Sequence, residues 1–330
     1  MVYTSVKSFY QKGFLTTMPF LNEEEYLDMM RGEVEVLETY GDQLIPEQHR
    51  ELETSEDTEK VEPFASDIDE TLAMEDDEPA PLIDGVLSSE VVSVFAGAPG
   101  IGKSYVALDW AIHIAGGLDW NGFSVQEPRS VVYIAGEGWR SFPPRLRRWL
   151  ESHDEDVTDD VRSRLKEHLF FVDGSKHGID MSVKGMDEYL RVKLKDYNPD
   201  LIIFDTFSML ACVNSENDNS EVASVFKRAD AIRSKLNTTV MFIHHLSKDG
   251  RQIRGASTFM GNVDTAIIAN REKNMDWFYL STKSEDGAKQ REMKPRRIDG
   301  LHIGSPGVLL KYTKDEMKEK VVDKDMEKSK

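Results

Sequence analysis

Eight residues, GAPGIGKS from Gly97 to Ser104, constrain this chain more than any others. They follow an apolar run, Glu90 to Ala96, and precede a helical pattern that begins at Lys103, so both spacing and context match a phosphate-binding P-loop. Gly97, Gly100 and Gly102 let backbone N–H groups wrap a polyphosphate at a helix N-terminus. Donors there lack intrahelical acceptors, and the helix dipole favours an anion. Ala98, Pro99 and Ile101 complete the loop, and Tyr105 follows it into the helix. Lys103 brings a mobile positive charge to the outer phosphates, and the Ser104 hydroxyl suits a magnesium ion. The expected ligands are therefore ATP and Mg2+. A glycine turn that matches by chance would not also carry a strand before it and a helix after it.

A loop of this kind needs an α/β framework, and the rest of the chain supplies one. Apolar runs at Ser130 to Ala135, Leu169 to Val172, Leu201 to Asp205 and Thr239 to His245 alternate with helical patterns running through Leu150, near Met186 to Asp196 and near Glu221 to Leu236. Uniformly apolar strands separated by helices predict a mostly parallel sheet covered on both faces. Four further short strands, Val263 to Ala269, Trp277 to Thr282, Arg297 to Ile303 and Val308 to Tyr312, are expected as antiparallel additions to its edge.

Ligand-contacting groups in such a sheet stand at the carboxyl ends of strands. Asp205 ends LIIFD and is the natural second magnesium anchor, with a helix N-cap as the competing role. Thr206 follows it, so the base that activates water must come from elsewhere. Glu137 in VVYIAGEG is the candidate, against the plainer reading of a turn acid between two glycines. TTVMFIHH brings His244 and His245 to the same edge, where one of them suits a γ-phosphate sensor and either could instead satisfy loop carbonyls. No carboxylate at ligand spacing completes a zinc triad with them.

The formal charge of -19 is unevenly spread. Residues 1–85 hold 23 acids and 5 bases, whereas residues 86–330 hold 37 acids and 36 bases. A short aromatic arm over residues 1–20, an acidic amphipathic helix from Leu21 to Glu38 and a disordered linker from about Gly41 to Pro81 are expected in the leader, the last because it is too polar to offset chain entropy. The expected division is a leader over 1–85, an ATPase domain over 86–312 and a charged tail over 313–330 that is either a solvated helix or frayed. One cysteine, Cys212, excludes an intrachain disulfide and a four-cysteine zinc ribbon. With no apolar membrane span and no secretory signal, a soluble cytoplasmic protein without a membrane partner is expected.

These motifs together resemble the RecA-fold ATPases of the RepA-like hexameric replicative helicase type, found in plasmids and phages and related to DnaB helicases. The resemblance covers about residues 81 to 312 and rests on GAPGIGKS, on IAGEG with Arg145 following, on LIIFD-T, on SENDNSEVA, and on HHLSKDGRQIRGAS with VDTAI downstream. It implies that Lys103 and Ser104 bind phosphates and magnesium, Glu137 is the catalytic base, Asp205 anchors magnesium, and His245 or His244 senses the γ-phosphate. It further implies that Arg254 reaches a neighbouring subunit's nucleotide and that Lys283 is a second interface cation, with ordinary surface charge as the alternative for both. Within the residues given, neither the primase-like zinc module nor the helical collar of full replicative helicases is expected, and an acidic leader is expected where they would stand.

Loops after the strands ending at Asp205 and His245 are the expected DNA contacts. The second carries Lys248, Arg251 and Arg254 within seven residues and suits phosphate tracking on single-stranded DNA. Two basic strips, Lys289, Arg291, Lys294, Arg296 and Arg297, and Arg140, Arg145, Arg147 and Arg148, are open to two readings, a subunit interface or a solvated face. The expected function is a hexameric ATP-driven helicase whose leader docks replication or recombination proteins or competes with DNA. A RecA-like recombinase or annealing protein, a helicase loader or regulator, and a small-molecule kinase are the alternatives.

Overall fold

The computed structural model describes residues 68–69, 79–213, 218–247, 253–254, 258–281, 297–305 and 307–328. The chain divides into two units, Met1–Glu78 and Pro79–Lys330. The aromatic arm, the helix expected over 21–38 and most of the expected linker lie outside the described residues. In the second unit the buried residues begin with Leu82 and Ile83.

The elements run β1 (Val92–Gly97), α1 (Lys103–Gly116), β2 (Val131–Ala135), α2 (Phe142–Ser152), α3 (Asp159–His168), β3 (Leu169–Asp173), α4 (Met186–Leu194) and β4 (Leu201–Asp205). Then follow α5 (Phe207–Leu210), α6 (Asn219–Leu236), β5 (Thr239–His245), α7 (Thr258–Gly261), β6 (Thr265–Arg271), β7 (Phe278–Ser281), β8 (Arg297–Gly304), β9 (Val308–Lys311) and α8 (Lys314–Lys328). All nine of these strands join one sheet in the order β3-β2-β4-β5-β1-β6-β7-β8-β9.

Pairing is parallel from β3 across to β6 and antiparallel from β6 to β9. One expectation is corrected here: β6 is not an antiparallel addition. It runs parallel to β1, with Ser93 opposite Thr265 and Gly97 opposite Ala269. Its first five residues, TAIIA, are all buried, as suits a strand covered on both faces.

Side-chain alternation along the strands sorts the core into two layers. Tyr133 of β2, Leu201 and Ile203 of β4, and Met241 and Ile243 of β5 pack with α1, α2 and α3. Their chain neighbours Ile134, Ile202, Phe204, Val240 and Phe242 pack with α4 and α6. Phe204 and Phe242 stack at 5.0 Å in this second layer. Each fully buried side chain of this size contributes about 1.5–3 kcal/mol.

In the first layer, α1 is almost wholly buried and carries one acid, Asp109. Its carboxylate accepts from Trp120 Nε1 at 2.7 Å and from Trp149 Nε1 at 2.6 Å. Two indole donors on separate segments therefore converge on one helix residue and fix α2 against α1. Helix α3 was not expected from the sequence, because Val161 is its one buried residue. Its start is set by Thr158, which accepts from the Val161 amide, with Asp159 and Asp160 in the first turn.

The charged C-terminus is helical. Thr313 and Glu316 form a reciprocal cap: the Thr313 amide donates to Glu316 Oε2 at 2.7 Å, and the Glu316 amide donates to Thr313 Oγ1 at 3.3 Å. Asp276 accepts from both Tyr312 and Lys320, tying α8 to the end of the sheet. Among the described residues no helix is long and apolar enough to cross a membrane.

Candidate nucleotide site

Because β1, β2, β4 and β5 run in one direction, their carboxyl ends share an edge. Register decides which residues meet there: Gly97 lies opposite His245, Ala135 opposite Asp205, and Asp205 opposite Ile243. Paired residues in a parallel sheet face the same side. Tyr133, Asp205 and His245 thus all point toward α1, whose N-terminus carries the P-loop.

The three loop glycines expected to wrap phosphate differ in their surroundings. Gly97 is buried at the end of β1, whereas Gly100 is exposed, so it forms no part of a closed wall around the site. A Cβ on Gly100 would meet nothing within 4 Å. Its φ of 71°, rather than crowding, reserves it for glycine, and an open position leaves its amide accessible to an anion. Gly102 stands at the cap of α1 with φ 107°, a conformation that side chains with a Cβ rarely adopt. No side chain caps this helix and no acid occupies its first turn. Its leading amides and dipole are left to an anion.

Lys103 folds back over the loop, and its Nζ donates to the carbonyls of Gly97 at 2.9 Å and Ala98 at 3.2 Å, with His245 Nδ1 at 3.2 Å. Burial pulls the Lys103 pKa down to about 8, and the charges of Asp205 and Glu137 partly oppose that fall. Phosphate oxygens would stabilise the ammonium far more strongly than carbonyls do.

Asp205 is buried and does not cap α5, whose cap position belongs to Thr206. Its Oδ2 accepts from the Tyr133 hydroxyl at 2.7 Å. Its Oδ1 is buried with no hydrogen-bond partner. A buried carboxylate oxygen left without a donor is costly. A hard divalent cation would remove that cost, and Asp205 Oδ1 with the Ser104 hydroxyl would offer it oxygen donors of the kind that suit magnesium. The residues present therefore fit a magnesium nucleotide.

Glu137 is exposed at the mouth of this edge. It is placed by Gly136, whose amide donates to the Asp205 carbonyl at 2.7 Å. A Cβ on Gly136 would come within 2.8 Å of Met209 and Leu210, so only glycine lets α5 approach this closely.

The two histidines separate. His245 stands beside Lys103, whereas His244 is fully buried on the opposite face, stacked on Phe259 at 4.8 Å and 9°. His244 Nε2 bonds the Arg254 carbonyl at 2.8 Å, and the Arg254 amide donates to the His245 carbonyl at 2.9 Å. With the Leu246–Ile253 bridge, these bonds close the base of the loop that follows β5. Arg254 itself is exposed.

Lys248, Arg251 and Lys283 lie outside the described residues, as do Lys289, Arg291, Lys294 and Arg296. Arg297 is held by Asp299 and Glu272 and covers the Tyr279 ring at 3.5 Å. In the other basic strip, Arg145 lies over the Tyr105 ring at 4.6 Å, while Arg140 and Arg147 are exposed. Tyr133 was missed in the sequence. The available signal was a hydroxyl-bearing residue within an otherwise aliphatic run, two positions before the strand end.

A family model described as an AAA domain matches residues 55–251. Among solved structures, the chain is similar to a KaiC-like protein from the hyperthermophilic archaeon Pyrococcus horikoshii, with 15% identity, a TM-score of 0.45, and coverage of 72% of this chain and 97% of that one. It is also similar to the RadB recombinase, with 15% identity, a TM-score of 0.45, and coverage of 68% and 92%. In the sheet itself, β5 lies between the P-loop strand β1 and the strand that ends in Asp205, which is a RecA-like order. With this fold, this loop and a match over more than half its length, the chain belongs to the AAA-domain family of P-loop ATPases.

Proposed function

We propose that the chain is a ring-forming DNA motor that couples ATP hydrolysis to movement on single-stranded DNA, as a replicative helicase does. Lys103 and the P-loop amides bind the β- and γ-phosphates, and Ser104 and Asp205 hold magnesium. When bound, magnesium neutralises charge on the phosphate oxygens. Glu137 takes a proton from the attacking water as its oxygen bonds to the γ-phosphorus. The bond from that phosphorus to the bridging oxygen breaks, releasing ADP and phosphate. His245 reports the γ-phosphate, and Arg254 supplies positive charge to a neighbouring subunit's nucleotide.

The observation that carries this reading is the short path from site to loop. His245 contacts Lys103 through its side chain and holds Arg254 through its carbonyl. A change at the γ-phosphate therefore reaches the base of the basic loop across one residue. That is the coupling a motor needs.

Mixing Lys103→Ala with Arg254→Ala subunits tests the assembly. Each variant alone is expected to be inactive, and the mixture is expected to recover part of the DNA-stimulated ATPase. No recovery argues against an arginine acting between subunits. Strand displacement on forked DNA tests the motor, and annealing without unwinding would replace it with a recombinase.

A further inference from the structure

Tyr133 places a buried hydroxyl on Asp205, the proposed magnesium anchor. It donates to Asp205 Oδ2 at 2.7 Å. That contact has a consequence for the carboxylate. A carboxylate can grip a cation with two oxygens unless one is engaged, and the phenol engages Oδ2. Oδ1 remains, buried and with no hydrogen-bond partner.

We infer that Tyr133 is the positioning residue of the metal site and sets its preference for magnesium over calcium by limiting Asp205 to one available oxygen. The inference rests on the ATPase reading above. Calcium takes six to eight oxygens and commonly uses both oxygens of a carboxylate. Magnesium takes a compact octahedron and keeps several waters, so one carboxylate oxygen and one hydroxyl suffice for it.

Tyr133 is fixed in this role by its surroundings. Its ring packs on Phe142 at 4.9 Å and on Phe171 at 6.1 Å. Burial first, then the charge and hydrogen bond of Asp205, push its pKa well above the usual phenol value.

The test uses the full chain and a fluorescent ATP analogue, titrated separately with Mg2+ and Ca2+. In the Tyr133→Phe variant the Mg2+ concentration for half-maximal analogue binding is expected to rise about three- to tenfold, the scale of one lost hydrogen bond. The Ca2+ value is expected to stay within about twofold, because freeing Oδ2 compensates calcium alone. Tyr133→Met, which fills the site without a hydroxyl, should give the same fall in preference should the first variant fold poorly. p-Aminophenylalanine at position 133 restores a donor and should restore the preference. An unchanged Mg2+ to Ca2+ ratio in a folded variant overturns the inference while leaving the ATPase intact. Wild-type protein that binds the analogue with no dependence on metal overturns both.

Discussion

His244 and His245 are consecutive residues on opposite faces of β5: the imidazole of His245 meets Lys103, and that of His244 stacks on Phe259. Substitution should separate their roles. His245→Ala is expected to lower ATP turnover about a hundredfold, the scale of losing one preorganised partner of the phosphate. Its unfolding free energy should change little. His244→Ala is expected to cost about 2–4 kcal/mol of stability through a cavity and a lost hydrogen bond. Urea unfolding set beside steady-state turnover checks the pair, and the reverse pattern would reassign the sensor.

Lys103 gives nucleotide binding a pH dependence of definite sign. Its pKa is about 8 in the folded protein against 10.5 when unperturbed. Between those values the unfolded chain holds a proton that the folded chain has lost, so this residue makes stability rise with pH across that window. Bound phosphate reverses the preference by favouring the charged amine. Affinity for ATP should therefore fall as pH rises above 8, approaching about tenfold per unit. Calorimetry at about pH 8.5, just above that value, in two buffers of different ionisation enthalpy should register proton uptake on binding. Lys103→Arg should abolish that uptake.

Gly136→Ala should separate hydrolysis from binding. The added methyl meets Leu210 and Met209 at 2.8 Å, so either α5 or the segment leading to Glu137 must move. Turnover is expected to fall by at least about tenfold, since a misplacement near 1 Å at a reacting group has that scale or more. ATP affinity, set by the P-loop, should stay within about threefold. Equal losses in both would show that the displacement extends to the loop.

Asp109→Asn removes one acceptor from a buried site with two indole donors. The new amide turns an N–H toward Trp120 or Trp149 and leaves that indole unpaired. A loss of about 2–3 kcal/mol is expected, as for breaking a buried hydrogen bond to a charged group. Chemical denaturation followed by tryptophan fluorescence reads both the stability and the environment of the two rings.

Much of the nucleotide edge was legible because its strands end on chemically distinct residues. Leu201–Asp205 and Thr239–His245 are the strands their apolar runs predict, and GAPGIGKS joins β1 to α1 as expected. Facing was not legible. Whether His244 or His245 turns toward Lys103 and the P-loop depends on the register of β5 against β1, a long-range property that no local pattern encodes. Tyr133 was hidden for the same reason: its partner Asp205 is 72 residues away. The P-loop spacing likewise gave three equivalent glycines, and only the fold separates buried Gly97 from exposed Gly100. Helix α3 was hidden because it buries a single side chain and so carries almost no apolar period. The direction of β6 followed from its place beside β1, which its sequence does not state.

The bonds that join Arg254 to His244 and His245 also decouple the loop's length from the site. The residues numbered between Leu246 and Ile253 begin and end at a clasp held by backbone and imidazole atoms. Whatever lies between can change in length or sequence for a small cost in closure entropy, since that cost grows only with the logarithm of length. The clasp makes this segment an exchangeable module. A segment of different length or sequence can be spliced in there without moving the histidine that meets Lys103.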